Sequence, residues 1–254
     1  MKYYIIPDIN NLEKSIDYSN KYNLGFEYND FFNPKLLDDK SNLDLIIKKY
    51  QRLNRKCDTL HGVFYDICLN SCDSLIKEAS EARVILSFEI AKKLNVKGVV
   101  FHTNYITWMN TLSYKKSWIE GMKSFFIKMN KMYPDIEIYI ENMFDNSPDY
   151  LKDLMDEINN PKIRVCLDVA HASISNIDLE IWFKKLSKYI SHIHINDNDL
   201  KSDLHEEIGL GKIDFDKVYK LIKEYANDAS ILIEISDLDK AINSYLKVKK
   251  YDNE

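Results

Sequence analysis

The stretch SHIHINDNDLKSDLH, residues 191–205, contains three of the six histidines of the chain together with three aspartates. Its first part alternates histidine with isoleucine, and this period of two is typical of a β-strand whose two faces have different neighbours. Its second part is polar and aperiodic, as in a loop. A buried strand seldom needs two histidines on one face, so the stretch predicts a strand that leads into a functional loop.

The same short strand pattern recurs along the whole chain, and longer amphipathic segments separate the copies. SLIKEASEARVILSFEIAKKLN (74–95) is one such segment, with apolar residues at helical spacing. The strand candidates are KYYIIP (2–7), LGFEY (24–28), DTLHGVFYD (58–66), KGVVFHTN (97–104), IEIYIENM (136–143), IRVCLDVAH (163–171), ISHIHIND (190–197) and SILIEI (230–235).

Eight alternating β and α units predict a parallel sheet, and about 250 residues is the size of a closed (β/α)₈ barrel. We therefore expect the α/β class and a single TIM barrel domain over residues 1–254. A doubly wound open sheet is the alternative. Such a sheet usually has a glycine-rich phosphate loop after its first strand, and PDINNLEK (7–14) contains no glycine.

Composition narrows the class of protein further. The formal net charge is −5, and no segment reaches the ~18 consecutive apolar residues of a membrane span. The start of the chain does not resemble a signal peptide. Cys57, Cys68, Cys72 and Cys166 lack the spacing of a disulfide framework, and Cys68 with Cys72 would be only half of a metal site. These features favour a cytoplasmic protein with free thiols.

Polar residues gather where the predicted strands end, and in a barrel these ends meet at the face that carries catalysis. Converging imidazoles and carboxylates suit Zn²⁺, Mn²⁺, Fe²⁺ or Co²⁺. A lone strand-end histidine is more often a hydrogen-bonded core residue, and we expect His192, one layer deeper, to support its neighbours in that way. The strand-end set consists of His61, His102, Glu141, Asp168, His171, His194 and Glu234, and the loop after the seventh strand adds Asp203 and His205.

The period of two also predicts which side chains share a face. If Glu141 points into the barrel, Tyr139 and Glu137 do so as well, while Ile138 and Ile140 face the helices. Arg164 opens the sixth strand, at the end of the barrel away from the metal ligands. We expect it to pair with Glu137 in a structural role.

Several motifs resemble those of one superfamily, the xylose isomerase-like TIM barrels. This superfamily includes sugar (phosphate) isomerases and epimerases and the endonuclease IV type of AP endonuclease (AP endonuclease family 2). The resemblance covers nearly the whole chain. The motifs are IENMF (140–144), CLDVAH (166–171), HIHIND (192–197), DLHEEIGLGKIDF (203–215) and ILIEIS (231–236).

The resemblance implies ligand roles. Glu141, Asp168, His194 and Glu234 correspond to the central metal site of the sugar enzymes. The further ligands of trinuclear zinc centres correspond to His61, His102, His171, Asp203 and His205. The implied cofactor is a divalent metal, Zn, Mn or Co, with one to three ions per chain.

We expect a metal-dependent isomerase or epimerase that acts on a small sugar or sugar phosphate. A metal would polarise the substrate carbonyl, and Glu141 and Glu234 are the candidate bases. This reading is favoured because HGVFYDICLNSCD (61–73) and VVFHTNY (99–105) look more like sugar phosphate isomerases and epimerases. The aromatic residues expected to wall the pocket are Phe64, Tyr65, Tyr105 and Trp108.

Two alternatives stay open. The first is a zinc-dependent phosphodiesterase of the AP endonuclease type, in which bridging hydroxide attacks phosphorus. It is less favoured because EYNDFFNPKLLDD (27–39) is acidic, and because none of the four arginines (Arg52, Arg55, Arg83, Arg164) lies in a predicted loop after a strand. A nucleic-acid partner is therefore less expected than a sugar. The second alternative is a barrel that binds metal and ligand without catalysis.

Overall fold

Eight parallel strands close into a barrel in the order of the sequence. The computed structural model describes residues 1–55, 57–109 and 111–253. Each strand pairs in parallel with the next, and β8 pairs with β1. The strands are β1 (Lys2–Ile5), β2 (Gly25–Tyr28), β3 (Thr59–His61), β4 (Gly98–His102), β5 (Glu137–Glu141), β6 (Ile163–Asp168), β7 (Ile190–Ile195) and β8 (Ser230–Ile233). The predicted TIM barrel is confirmed, and the domain bounds 1–254 stay a prediction.

Helices lie between successive strands and after β8, and side-chain caps fix where several of them begin. Asp73 accepts hydrogen bonds from the main-chain N–H groups of Leu75 and Ile76 at the start of α4, and α4 ends at the left-handed Asn95. The helices are α1 (Leu12–Tyr22), α2 (Pro34–Asp38), α3 (Lys40–Gln51), α4 (Ser74–Leu94), α5 (Leu112–Met132), α6 (Asp149–Ile158), α7 (Val169–Ile174), α8 (Leu179–Leu186), α9 (Phe215–Tyr225) and α10 (Leu238–Val248).

The main hydrophobic core lies between the strands and the helices. Ile138 and Ile140 of β5 are fully buried there with Val165 and Leu167 of β6, as the alternation predicts. None of the helices in the described part of the chain has the length and hydropathy of a membrane span. The cytoplasmic location stays a prediction. All four cysteines are free thiols.

Two tyrosine rings fill the lower part of the barrel interior. Tyr4 and Tyr139 are fully buried, and glycines on the neighbouring strands make room for them. A Cβ atom on Gly25 would lie 2.4 Å from Cδ1 of Tyr4, and one on Gly98 would lie 2.4 Å from Cε2 of Tyr139. The lower part of the barrel interior is therefore filled by side chains and is not an open channel.

Arg164 does not pair with Glu137, so that prediction was wrong. Its guanidinium donates to Oγ of Ser191 (2.9 Å) and to the main-chain oxygen of Lys188 (2.9 Å). Glu137 instead accepts from the Tyr139 hydroxyl (2.6 Å). A register shift accounts for the contact with Ser191, since Val165 pairs with Ile190 but Cys166 pairs with His192. Ser191 is the extra residue, and it brings its hydroxyl to Arg164.

Candidate metal centre

Four side chains converge at the carboxyl ends of the last four strands, and we call them the inner group: Glu141, Asp168, His194 and Glu234. One ligand atom from each lies within 4.8 Å of the others, and all four residues are buried. Glu141 and Asp168 are the last residues of β5 and β6, His194 is the last but one of β7, and Glu234 follows β8. Because parallel strands end at one face, four separate strands deliver these groups to one point.

The two carboxylate oxygens of Glu141 face different sets of histidines. Oε2 lies 3.3 Å from Nε2 of His61 and 3.3 Å from Nε2 of His102. Oε1 lies 3.4 Å from Nδ1 of His171 and 3.5 Å from Nδ1 of His194. A carboxylate in this position is able to ligate two ions at once.

Three further residues form the outer group: His171, Asp203 and His205. Oδ2 of Asp203 lies 3.3 Å from Nε2 of His171 and 3.2 Å from Nε2 of His205. The Asp-x-x-His spacing has a local cause, because Asp168 caps α7 and accepts from the main-chain N–H of His171 (2.6 Å). One helical turn thus links the inner and outer groups.

The loop that carries Asp203 and His205 is held by Asp197, a buried residue just after β7. Its carboxylate accepts from the main-chain N–H groups of Gly209 (2.8 Å), Gly211 (3.0 Å) and Ile213 (3.1 Å). A Cβ atom on Gly211 would lie 2.3 Å from Oδ1 of Asp197, so only glycine allows this approach. The loop is therefore folded back over the mouth of the barrel.

Main-chain carbonyls orient three of the histidines. Nδ1 lies 3.0 Å from the Gly62 oxygen in His61, 2.9 Å from the Asn142 oxygen in His171, and 2.9 Å from the Glu234 oxygen in His205. A carbonyl only accepts, so in each ring Nδ1 carries the hydrogen and Nε2 is left to face the centre. This is the usual arrangement around a metal-binding imidazole.

The charged groups of the centre shift one another's pKa values. Burial raises the pKa of Asp168 to about 7. Burial would also raise the pKa of Glu141, but His194 and His102 hold it well below its usual range. For His205, burial opposes the charged form, yet Asp203 and Glu234 raise the pKa to about 10. A cation at the centre would therefore compete with protons.

The buried polar atoms of the centre fit a transition metal. Among the described residues, several of them have no hydrogen-bond partner, which is costly in a protein interior. A divalent cation would satisfy such atoms, and mixed imidazole and carboxylate ligands suit zinc, manganese or cobalt. The unpartnered atoms are Nδ1 of His102, both carboxylate oxygens of Glu141, Oδ2 of Asp168, both ring nitrogens of His194 and Oδ1 of Asp203.

A cavity of about 690 Å³ lies above the centre, and His61, His102 and the outer group form its floor with Glu234. Phe64 and Tyr65, two of the predicted wall residues, line it, and the Phe64 ring stacks on His102 with centroids 4.7 Å apart. Tyr105 and Trp108 are not among the lining residues. Tyr105 is buried against Trp118, and Trp108 is 83% exposed.

Glu27 is a residue of the site that the sequence analysis missed. It lies on β2, is fully buried, and contacts both His192 and His194. Burial would raise the pKa of Glu27, but the two histidines lower it below its usual range. A signal was present, because Glu27 follows Gly25 by two residues and so shares the inward face of β2.

The comparisons with known proteins agree with this architecture. The xylose isomerase-like TIM barrel family model matches residues 22–248, so the chain belongs to that family. An uncharacterised protein of Methanocaldococcus jannaschii is 31% identical over 201 residues, which are 75% of this chain and 76% of that protein. A probable endonuclease 4 of Mycoplasma mobile is 28% identical over 188 residues, 64% of this chain and 62% of that protein.

A solved D-tagatose 3-epimerase-like protein has the same fold. It superposes with a TM-score of 0.79 at 22% identity, covering 100% of this chain and 97% of that one. The names of this sequence relative and this structural neighbour thus refer to two different reactions.

Proposed function

We propose that the protein is a metal-dependent isomerase or epimerase of a small sugar. The cavity above the centre is the observation that carries the proposal. Its volume of about 690 Å³ suits a small ligand. Among the described residues that line it there is no lysine or arginine, whereas Asp8, Asp30, Asp203 and Glu234 contribute acidic groups. Carboxylates and amides bind hydroxyl groups well, and apolar rings pack on the C–H face of a sugar.

Glu234 is the proposed base. It reaches the cavity wall and also belongs to the inner group, so its carboxylate lies between ligand and centre. A divalent ion held by the inner group would polarise a bound carbonyl and acidify the adjacent C–H. Glu234 then takes or returns the proton on that carbon. Glu141 is buried behind the histidines and lies outside the cavity lining, which suits a ligand better than a second base.

Phe64 and Tyr65 are the proposed wall residues on one side of the substrate. Tyr105 and Trp108 are left out of this role because neither lines the cavity. The absence of lysine and arginine among the described lining residues favours a free sugar over a sugar phosphate, since phosphate is usually held by arginine, lysine or a helix terminus.

The test is proton exchange in D₂O. Protein loaded with Mn²⁺, Co²⁺ or Zn²⁺ is incubated with a panel of free ketoses and aldoses and with their phosphates, and ¹H NMR follows deuterium at the carbon next to the carbonyl. We expect incorporation with at least one free sugar, lost in Glu234→Gln. No incorporation with any metal and any sugar would contradict the proposal.

A zinc-dependent phosphodiesterase is the second candidate, and the position of Glu141 favours it. Its two oxygens face two histidine sets, and Asp203 lies between His171 and His205. Such a set of residues would hold more than one ion, and multi-ion centres are typical of phosphoryl chemistry. The cavity counts against it, because its acidic lining offers a DNA backbone no lysine or arginine among the residues described.

One assay separates the two candidates. Zinc-loaded protein is incubated at ~100 mM salt with a duplex that contains one abasic-site analogue. Incision at ~1 per second or faster, lost on Glu234→Gln, would replace the sugar proposal with the nuclease one. Slow or absent incision together with turnover of a sugar supports the first proposal.

A further inference from the structure

We propose that Glu27, on β2, is a positioning residue that orients His194 so that its Nδ1 atom faces the metal centre. The inference rests on the proposed metal centre and holds for either candidate reaction. Glu27 is not itself a proposed ligand, and it lies below the strand ends on the inner face of the barrel.

His194 is turned the opposite way from the three histidines that main-chain carbonyls orient. Its Nδ1 lies 3.5 Å from Oε1 of Glu141 and 3.6 Å from Oε2 of Glu234. Its Nε2 lies 3.1 Å from Oε1 of Glu27. Among the described residues no main-chain carbonyl accepts a hydrogen from this ring, and the carboxylate of Glu27 is the charged group that contacts Nε2.

Glu27 is itself held in place from two sides. Its Oε2 accepts from the Thr59 hydroxyl (2.7 Å) and lies 3.1 Å from Nε2 of His192. The other nitrogen of His192 lies 2.7 Å from the hydroxyl of Ser230. These contacts occupy Oε2. Oε1 has no hydrogen-bond partner among the described residues, and Nε2 of His194 lies 3.1 Å from it as an ion-pair contact.

A carboxylate does more than a carbonyl in this position. It fixes the ring, and its negative charge increases the electron density on the opposite nitrogen, which strengthens the bond to a cation. His194 is the only histidine of the inner group. If His194 lost this orientation, the inner group would bind its ion more weakly, and the proposed chemistry depends on that ion most.

The experiment compares metal affinity in Glu27→Gln with that in Ser230→Ala. Glutamine preserves the shape of Glu27 and removes its charge. Ser230→Ala disturbs the same buried network through His192 and leaves the contact with His194 intact, so it is the matched control. Affinity for Co²⁺ is measured by competition with a chromophoric chelator, and the visible cobalt spectrum reports the ligand geometry.

We expect Glu27→Gln to weaken the tightest ion by about 10–100-fold and to shift its cobalt spectrum. Ser230→Ala should stay within about threefold of wild type, because hydrogen bonds that do not reach a ligand leave its affinity nearly unchanged. Equal affinity and equal spectra in wild type and Glu27→Gln would overturn the proposal and leave the metal centre standing.

A second measurement uses the wild-type protein and does not depend on a variant that folds. Zinc-loaded protein with ¹⁵N-histidine is examined by long-range ¹H–¹⁵N correlation, with His194 assigned through His194→Gln. The expected result is zinc on Nδ1 and a hydrogen on Nε2. Zinc on Nε2 would overturn the inference about Glu27 and leave the proposed function intact. A wild-type protein that takes up no ion would overturn both the inference and the proposed function.

Discussion

The inner and outer groups present the same kinds of ligand on different supports. Glu141, Asp168 and His194 end strands of a closed barrel, and none of their side chains is exposed. Asp203 and His205 sit on the loop after β7, and 24% and 38% of their side chains are exposed. The inner ligands are held by the hydrogen bonds between the barrel strands. The positions of Asp203 and His205 depend on the hydrogen bonds that hold their loop.

This difference teaches that affinity and exchange are divided between the two groups. Rigid, desolvated ligands need little rearrangement to bind a cation, so the inner group should hold its ion more tightly. The backbone of His205 adopts a positive φ of 48°, which a non-glycine residue seldom does. The outer ion should therefore be the one that is lost first.

The largest expected effect belongs to Glu234→Gln, because Glu234 serves the inner group and the cavity together. The change keeps the volume of the side chain and removes the anion. We expect turnover to fall by about 10²–10⁴-fold. The melting temperature in excess chelator should shift little, since the core below is unchanged.

The control for that variant is Glu78→Gln, an exposed acid on α4. It should keep wild-type turnover. A Glu234→Gln protein that turns over sugar as fast as wild type would show that Glu234 is a bystander.

The next largest effect is expected for Asp203→Asn, which tests whether the outer group is independent of the inner one. Removal of the carboxylate between His171 and His205 should weaken one ion by at least about 100-fold. Elemental analysis of dialysed protein should find about one ion fewer per chain. Loss of every ion in this variant would mean that the two groups form a single cooperative site.

Asp197→Asn loosens the loop without touching a ligand. The carboxylate now accepts hydrogen bonds from main-chain N–H groups. In the variant an amide NH₂ group would face these donors, and the lost hydrogen bonds should lower the unfolding free energy by about 2 kcal/mol. Urea unfolding of metal-free protein measures this. Affinity for the outer ion should fall and affinity for the inner ion should not. A fall in affinity for the inner ion alone would contradict the proposed difference between the two groups.

Metal binding by the outer group should strengthen as pH rises. The pKa of His205 is raised to about 10, so near neutral pH the ring is protonated and a cation must displace that proton. Through His205 alone, each unit of pH below 10 should cost about tenfold in affinity for the outer ion, and the raised pKa of His171 acts in the same direction. Asp168, with a pKa of about 7, adds to the dependence of the inner ion only below that pH.

Calorimetry in buffers of different ionisation enthalpy counts the protons released on binding. His205→Asn should release one proton fewer than wild type near pH 7. An outer affinity that does not change between pH 6 and 8 would mean that His205 is neutral in the metal-free protein.

The smallest effect is expected for Arg164→Met, at the opposite end of the barrel. It removes the hydrogen bonds to Ser191 and to the Lys188 carbonyl and should cost about 1 kcal/mol of unfolding free energy. The metal content per folded chain should equal that of wild type. Loss of metal from a folded variant would mean that the two ends of the barrel are coupled.

The sequence was sufficient where a local period decides the structure. Alternation in β5, β6 and β7 placed Glu141, Asp168 and His194 on the inner face, and the number of units predicted the closed barrel. It was insufficient where one extra residue changes the register. The bulge at Ser191 brings a hydroxyl group to Arg164, and the sequence SHIHI contains no signal that predicts it.

The inner role of Glu27 was missed for a different reason. The four residues of β2 are too few to show a period, and Glu27 reads as part of the acidic stretch that follows the strand. Tyr105 illustrates a third limit. It follows β4 closely in sequence, yet packing against Trp118 and Tyr150 takes its ring away from the cavity, and only the tertiary structure decides that.

The tyrosine packing in the lower barrel blocks access to the centre from below. With Tyr4 and Tyr139 filling the interior beneath His192, water, protons and ions reach the ligands through the cavity at the mouth. A sugar bound in this cavity, as proposed above, would therefore also block the route to the centre. Bound substrate should slow the transfer of metal from the protein to a chelator, so the rate of metal loss should be lowest when the cavity is occupied.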